Sequence, residues 1–184
     1  MHRLMDDFPD AVLQKDKPRY IDDFVSALRR DGYDPAKTRD LEEYGNELWS
    51  MVEKLPRDFC HGDMHTGNTR YRGGVFTWMD FDRASISPSV IDMGWLADGT
   101  DFGTFDGGAI DRSRRLLDVL YEGYSKERSM SEAEIAAVLP AVAIIHYDLF
   151  GEFLNAWGET VCLASVDRQH DWLMRWRDAC AKVQ

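Results

Sequence analysis

Apolar positions recur at helical spacing along most of this chain. Residues 1–17 are polar and carry no clear period. Pro18 then suits a first helical turn, and residues 19–31 place Ile21, Phe24, Val25 and Leu28 on one helix face. Asp31-Gly32 ends that helix, and Tyr33-Asp34-Pro35 reads as a loop. Leu41, Tyr44, Leu48, Met51, Val52 and Leu55 hold a 3.6-residue period, predicting a second helix over 39–55 that Pro56 stops. Ser87-Pro88-Ser89 reads as a turn, with a helix from Val90 to Ala97 after it. Residues 98–108, rich in Gly and Asp, are the loosest part of the chain. A helix over about 109–126 follows, with Leu116, Leu117, Leu120, Tyr121 and Tyr124 as its apolar set. Ser131-Glu132-Ala133-Glu134 is a capping-box signature. It opens a helix that runs through Pro140, bending there, to about Trp157. The last helix covers about 166–182 and buries Trp172, Leu173 and Trp176.

Only one region breaks this rhythm with strand character. Thr69–Arg72 and Val75–Met79 flank Gly73-Gly74, a pair suited to a hairpin turn whose two central residues need φ > 0. The expected class is therefore mainly α with one small β-hairpin, an α+β fold. No repeat, low-complexity tract or linker interrupts it, so residues 1–184 read as a single domain.

Composition narrows the function. Hydrophobic residues make up 44% of the chain, including six Trp and nine Phe, enough for a packed core. The formal charge of −11 is opposite in sign to that of most nucleic-acid binders, so nucleic acid is not the expected partner. An acidic surface favours a cationic small molecule, or simply keeps the protein in solution. No apolar run approaches the ~18 residues of a membrane helix, and the N-terminus lacks a signal-type stretch. Three widely spaced Cys form no C-x-x-C pair, which makes a reducing cytoplasm the expected compartment.

The chemistry concentrates in His61-Gly62-Asp63-Met64-His65-Thr66-Gly67-Asn68 and Trp78-Met79-Asp80-Phe81-Asp82. A carboxylate is followed by a carboxamide five residues on and by a second carboxylate beyond the hairpin. A kinase-type catalytic loop uses these groups at this spacing: an Asp for the acceptor hydroxyl, an Asn for Mg²⁺, and a further Asp for the metal at the ATP phosphates. The hairpin folds the chain back so that Asp80 can lie beside Asn68. Gly62 replaces the Arg of the protein-kinase loop, and the stretch resembles the aminoglycoside phosphotransferase/choline kinase family, whose loop runs H-G-D-x-H-x-x-N.

The resemblance implies ATP and Mg²⁺ as cofactors, Asp63 as catalytic base, and Asn68 and Asp80 as metal ligands. It also implies a structural, hydrogen-bonding role for His61. Asp92, in Ser-Pro-Ser-Val-Ile-Asp-Met, matches a Pro-x-x-x-Asp segment whose Asp braces the catalytic loop. Asp82 is read either as a supplement to the metal site or as a surface carboxylate beside Arg83, and His65 as a loop-bracing imidazole or a metal ligand. Implied acceptors are aminoglycosides, choline or ethanolamine, homoserine and other small hydroxyl or amino-alcohol compounds. Asp98, Asp101, Asp106, Asp148, Glu152, Trp157 and Glu159 are available to line an acceptor pocket, or are solvated helix and loop residues.

The resemblance covers the C-terminal lobe of such a kinase, to about residue 160, with Met1-His2-Arg3-Leu4 similar to the segment after an interlobe hinge. Ahead of His61 no G-x-G-x-x-G can be written, and none of Lys15, Lys17, Lys37 and Lys54 sits in a V-A-I-K-like strand. The small lobe is therefore expected to be absent, leaving transfer weak or lost without a separate small-lobe chain or self-association. Two readings compete with a kinase lobe. One is a non-catalytic binding or regulatory module, or truncated relic, that keeps the fold. The other is a metal-dependent hydrolase using His61, Asp63, His65, Asp80 and Asp82, since H-x-D-x-H resembles a ligand cluster.

Overall fold

Side chains at the helix ends set the boundaries of the elements, in a computed structural model that describes residues 13–101, 104–157 and 163–183. A π-helical turn, Pro18–Asp22, runs directly into α1, Asp23–Arg30. The next helix, α2, spans Pro35–Val52, starting earlier than its apolar stripe predicts. The cause is the cap: Asp34 accepts hydrogen bonds from the backbone N–H of Ala36 (2.8 Å) and Lys37 (3.1 Å), and Pro35 takes the first helical position. Of the stripe, Leu41, Tyr44, Leu48 and Val52 are buried, but Met51 is exposed.

The β content is double what the sequence pattern predicts. The expected hairpin is present as β2, Thr69–Arg72, and β3, Val75–Trp78, with Gly73 and Gly74 at φ 60° and 83° in the turn. A second antiparallel pair joins β1, Arg57–Cys60, to β4, Ser85–Pro88. The expected turn at Ser87-Pro88-Ser89 is thus mostly strand. Pro88 stands at the strand's last position, where its missing N–H costs no ladder bond. The segment ahead of α1 adds to the far side of β4: Ile86 N–H donates to Leu13 O (2.8 Å) and Lys15 N–H to Ile86 O (3.2 Å).

The remaining helices are α3, Val90–Ala97; α4, Ala109–Tyr124; α5, Glu132–Trp157; and α6, Leu163–Ala181. The capping box forms as expected. Glu134 N–H donates to Ser131 Oγ (3.2 Å), and Ser131 N–H to Glu134 Oε2 (2.8 Å). On α4 the apolar set is less buried than its period suggests: Leu116 is exposed, and the fully buried positions are Ala109 and Ser113.

Helix α5 is the axis of the core, running unbroken through Pro140 and packing against α1, α2 and α3. It is long and apolar enough to cross a membrane, with a mean hydropathy of 1.6 in its best window, but 72% of that window is buried inside the protein. The helical assembly is thus mostly α, with two short antiparallel pairs at the end where β1 hands over to the His61 loop.

Candidate active site

Strand β1 ends at Cys60, and the next two residues are seized by a buried carboxylate. His61 N–H donates to Asp92 Oδ2 (2.8 Å) and Gly62 N–H to Asp92 Oδ1 (2.9 Å). Asp92 lies in the first turn of α3 and is 1% exposed. A carboxylate accepting two backbone N–H bonds is a strong, charge-assisted anchor, so the loop inherits its position from a core helix. Gly62 has φ 78°, and a Cβ there would come within 2.5 Å of Arg83 O. The position needs glycine for both conformation and space.

Beyond Gly62 the chain curls into a 3₁₀ turn, Thr66–Asn68. Asn68 Nδ2 reaches back to Asp63, donating to Oδ2 (2.9 Å) and to its carbonyl (3.1 Å). His65 Nδ1 accepts from Gly67 N–H (3.0 Å), and its Nε2 lies 3.6 Å from Asp63 Oδ2. Asp63 is therefore held on Oδ2, while Oδ1 has no partner among the described residues. With its amide nitrogen committed to Asp63, Asn68 keeps its Oδ1 for another ligand.

The hairpin then returns the chain to the same place. Thr69 pairs with Trp78, and Met79 N–H donates to Asn68 O (2.9 Å), which sets Asp80 one residue from the Asn68 backbone. Asp80 is exposed and adopts φ 66°, uncommon for a residue with a Cβ although Asp tolerates it better than most. His61 closes the arrangement from below. Its Nε2 lies 3.0 Å from Met79 O, and its ring packs 4.4 Å from the Phe81 ring and 5.9 Å from that of Trp78. Donation from Nε2 leaves the buried Nδ1 as an unpartnered lone pair among the described residues.

These donors fit Mg²⁺. The Asn68 Oδ1 and the Asp80 carboxylate are hard oxygens from adjacent backbone, and such a pair leaves coordination positions for phosphate oxygens and water. They do not fit a transition-metal cage. Among the described residues no group of three or more His, Cys, Asp and Glu side chains is assembled for a metal. Both imidazoles are engaged with the backbone, and Asp82 is exposed. The hydrolase reading thus has no assembled ligand set among the described residues.

Four ionic residues meet beside the loop; Asp148 and Glu152 are among the acidic pocket candidates, whereas neither Arg83 nor Lys15 is singled out by the sequence pattern. Arg83 Nε donates to Gly62 O (3.4 Å), Nη2 to Asp148 Oδ2 (2.5 Å), and Nη1 to Glu152. Lys15 Nζ donates to the same Asp148 oxygen (2.6 Å), and both Lys15 and Asp148 are buried. Burial alone would lower the Arg83 pKa, but Asp148 and Glu152 together push it up. The signal for Asp148 was there, a carboxylate in the mostly apolar middle of α5. Lys15 had none, lying in a polar stretch without period.

The other acidic candidates scatter. Asp106 pairs with Arg112, whose hydrogen bonds lower its pKa to about 2. Asp98 lies 3.7 Å from the buried His146 Nε2, and Trp157 and Asp101 are exposed. Glu159, like Met1–Leu4, lies outside the described residues.

The family model described as phosphotransferase enzyme family (APH) matches residues 1–132. No curated protein matches the chain. Among solved structures, spectinomycin phosphotransferase, APH(9)-Ia, in complex with ADP and spectinomycin, is similar, with a TM-score of 0.51 and 15% identity. The match covers 92% of this chain and 58% of that one, and at such identity it speaks to the fold alone.

Proposed function

This chain belongs to the phosphotransferase enzyme family, and on that premise we propose that it is the catalytic and acceptor-binding lobe of an ATP-dependent small-molecule kinase. The observation that carries the reading is the bond from Asn68 Nδ2 to Asp63 Oδ2, with the β2–β3 hairpin returning the chain so that Met79 N–H, next to Asp80, donates to the Asn68 carbonyl.

In this reading Asp63 orients the acceptor hydroxyl through its unpaired Oδ1 and takes the proton. Asn68 fixes the Asp63 rotamer through Nδ2 and turns Oδ1 to Mg²⁺. Asp80 supplies the second protein oxygen to the metal. Bound MgATP would provide the γ-phosphoryl group and the cation that neutralises its charge. Asp92 and His61 touch no reactant in this scheme. They hold the loop and the hairpin exit in register, as the second layer of a preorganised site does. The acceptor is a small alcohol or amino-alcohol, and the expected compartment is the cytoplasm. Full turnover requires a phosphate-covering small lobe, on this polypeptide, on a partner or from self-association.

Thermal stability with and without Mg²⁺ and ATP, in wild type and Asp80→Ala, tests the reading. A ligand at 100 times its Kd stabilises by roughly 2.7 kcal/mol, which is readily measured. A Mg²⁺-dependent shift that Asp80→Ala abolishes supports it. Asp63→Asn should keep the shift and lose phosphoryl transfer. A shift unchanged in Asp80→Ala, or full transfer by Asp63→Asn, would overturn the assigned roles.

A further inference from the structure

The loop that carries Asp63 is anchored from below by Asp92 and linked to α5 through Arg83. Arg83 spends all three guanidinium nitrogens on that junction: Nε on Gly62 O, Nη2 on Asp148 and Nη1 on Glu152. Asp148 is 4% exposed, and Lys15 Nζ shares its Oδ2 at 2.6 Å, so the α5 end of the tie is fixed inside the protein. The loop end is the longer bond, with Nε 3.4 Å from Gly62 O, and Gly62 also packs close to the Arg83 carbonyl. A planar fork with donors in fixed directions can hold a carbonyl and two carboxylates at once, whereas an ammonium has no such geometry.

We propose that Arg83 is a positioning residue that registers the catalytic loop against α5, and that this tie, rather than neutralisation of Asp148, is its function. Lys15 already supplies Asp148 with a counter-charge. What Arg83 adds is the bond to Gly62 O, one residue from Asp63. The consequence for chemistry rests on the phosphotransfer reading above. The tie itself does not.

The experiment compares wild type with Arg83→Lys, Arg83→Met and the double variant Arg83→Met/Asp148→Asn, the last neutralising the carboxylate should Arg83→Met fold poorly. Amide hydrogen exchange is read for peptides covering residues 60–68, with α2 and α6 as internal references. Loss of one hydrogen bond to a charged donor should speed exchange at His61–Met64 by about tenfold in every variant, with the reference helices unchanged. Arg83→Lys is the discriminating case. It should keep the melting temperature near wild type, because the charge remains, yet fail to restore loop protection. Mg²⁺-dependent ATP hydrolysis, with water as acceptor, supplies a second readout. Misplacement of Asp63 should lower kcat by up to about 100-fold while KM for ATP stays within about twofold. Three results would overturn the proposal: wild-type loop exchange in Arg83→Met, full rescue by Arg83→Lys, or exchange rising equally in the reference helices. A wild-type protein that binds no MgATP would sink the phosphotransfer reading, whereas binding without hydrolysis is expected of a lobe without its phosphate cover. In both cases the exchange data still decide the role of Arg83.

Discussion

Asp63 and Asp80 are positioned by opposite routes. Asp63 rides a loop pinned by Asp92 below, Asn68 beside it and Arg83 across Gly62, all drawn from packed elements. Asp80 leaves a two-stranded hairpin whose residues from Tyr71 to Thr77 are all exposed, and it does so in a left-handed conformation. One carboxylate is preorganised by the core, while the other relies on a marginal element that little else covers. An isolated two-stranded hairpin is barely stable in water, so ordering of the Asp80 arm is expected to draw on bound ligand. The contrast suits the proposed roles, since a base is best held in place before its substrate arrives and a metal ligand can be drawn into place by the metal.

The largest effect that would sharpen this contrast is at Asp92. Asp92→Ala strands two buried N–H groups and should destabilise the fold by roughly 2–5 kcal/mol in urea denaturation. Little loss of stability would mean the loop is not anchored there. Gly62→Ala comes next. Positive φ and the approach to Arg83 O should cost roughly 2–3 kcal/mol, measured the same way. Asp80→Gly should act in the reverse direction, stabilising the free protein by about 0.5–1 kcal/mol through relief of the left-handed backbone. The same variant should lose the Mg²⁺-dependent thermal shift. Stability and ligation would then separate at a single residue. Smallest is the hairpin surface, where the Tyr71 and Phe76 rings pack at 4.6 Å across the strands. Tyr71→Thr or Phe76→Thr should cost no more than about 1 kcal/mol globally, a melting shift of about 2–4 °C. A larger loss would show that the hairpin is part of the cooperative core and break the comparison.

Legibility in the sequence followed locality. Helices whose apolar positions repeat every 3.6 residues were readable, as was the Gly73-Gly74 turn, because period and turn chemistry act over a few residues. The α2 start was misplaced because its cap lies ahead of its apolar stripe. The β1–β4 pair was invisible because its halves are short and stand far apart in sequence, Arg57 pairing with Pro88. Neither strand has enough residues to show alternation, and Pro88 argues for a turn when seen alone. Arg83 looked like a neighbour of Asp82. Its partners instead lie more than sixty residues away on α5.

The sequence by itself determined the chemistry available at the site and its order along the chain: Asp63, Asn68 five residues on, and Asp80 beyond a glycine turn. Those are covalent facts, and a hairpin of fixed length is enough to return the chain at Met79 to Asn68. The tertiary structure alone decided how firmly each is held. Asp92 reaches the His61 and Gly62 amides only because α3 packs on α5. Arg83, just ahead of β4, and Lys15, paired to β4 through the Ile86 backbone, reach the same Asp148 oxygen only in the folded molecule. Side chains so distant in sequence leave no periodic trace. Their pairing is set by burial, where an ion without its counter-ion costs too much to keep.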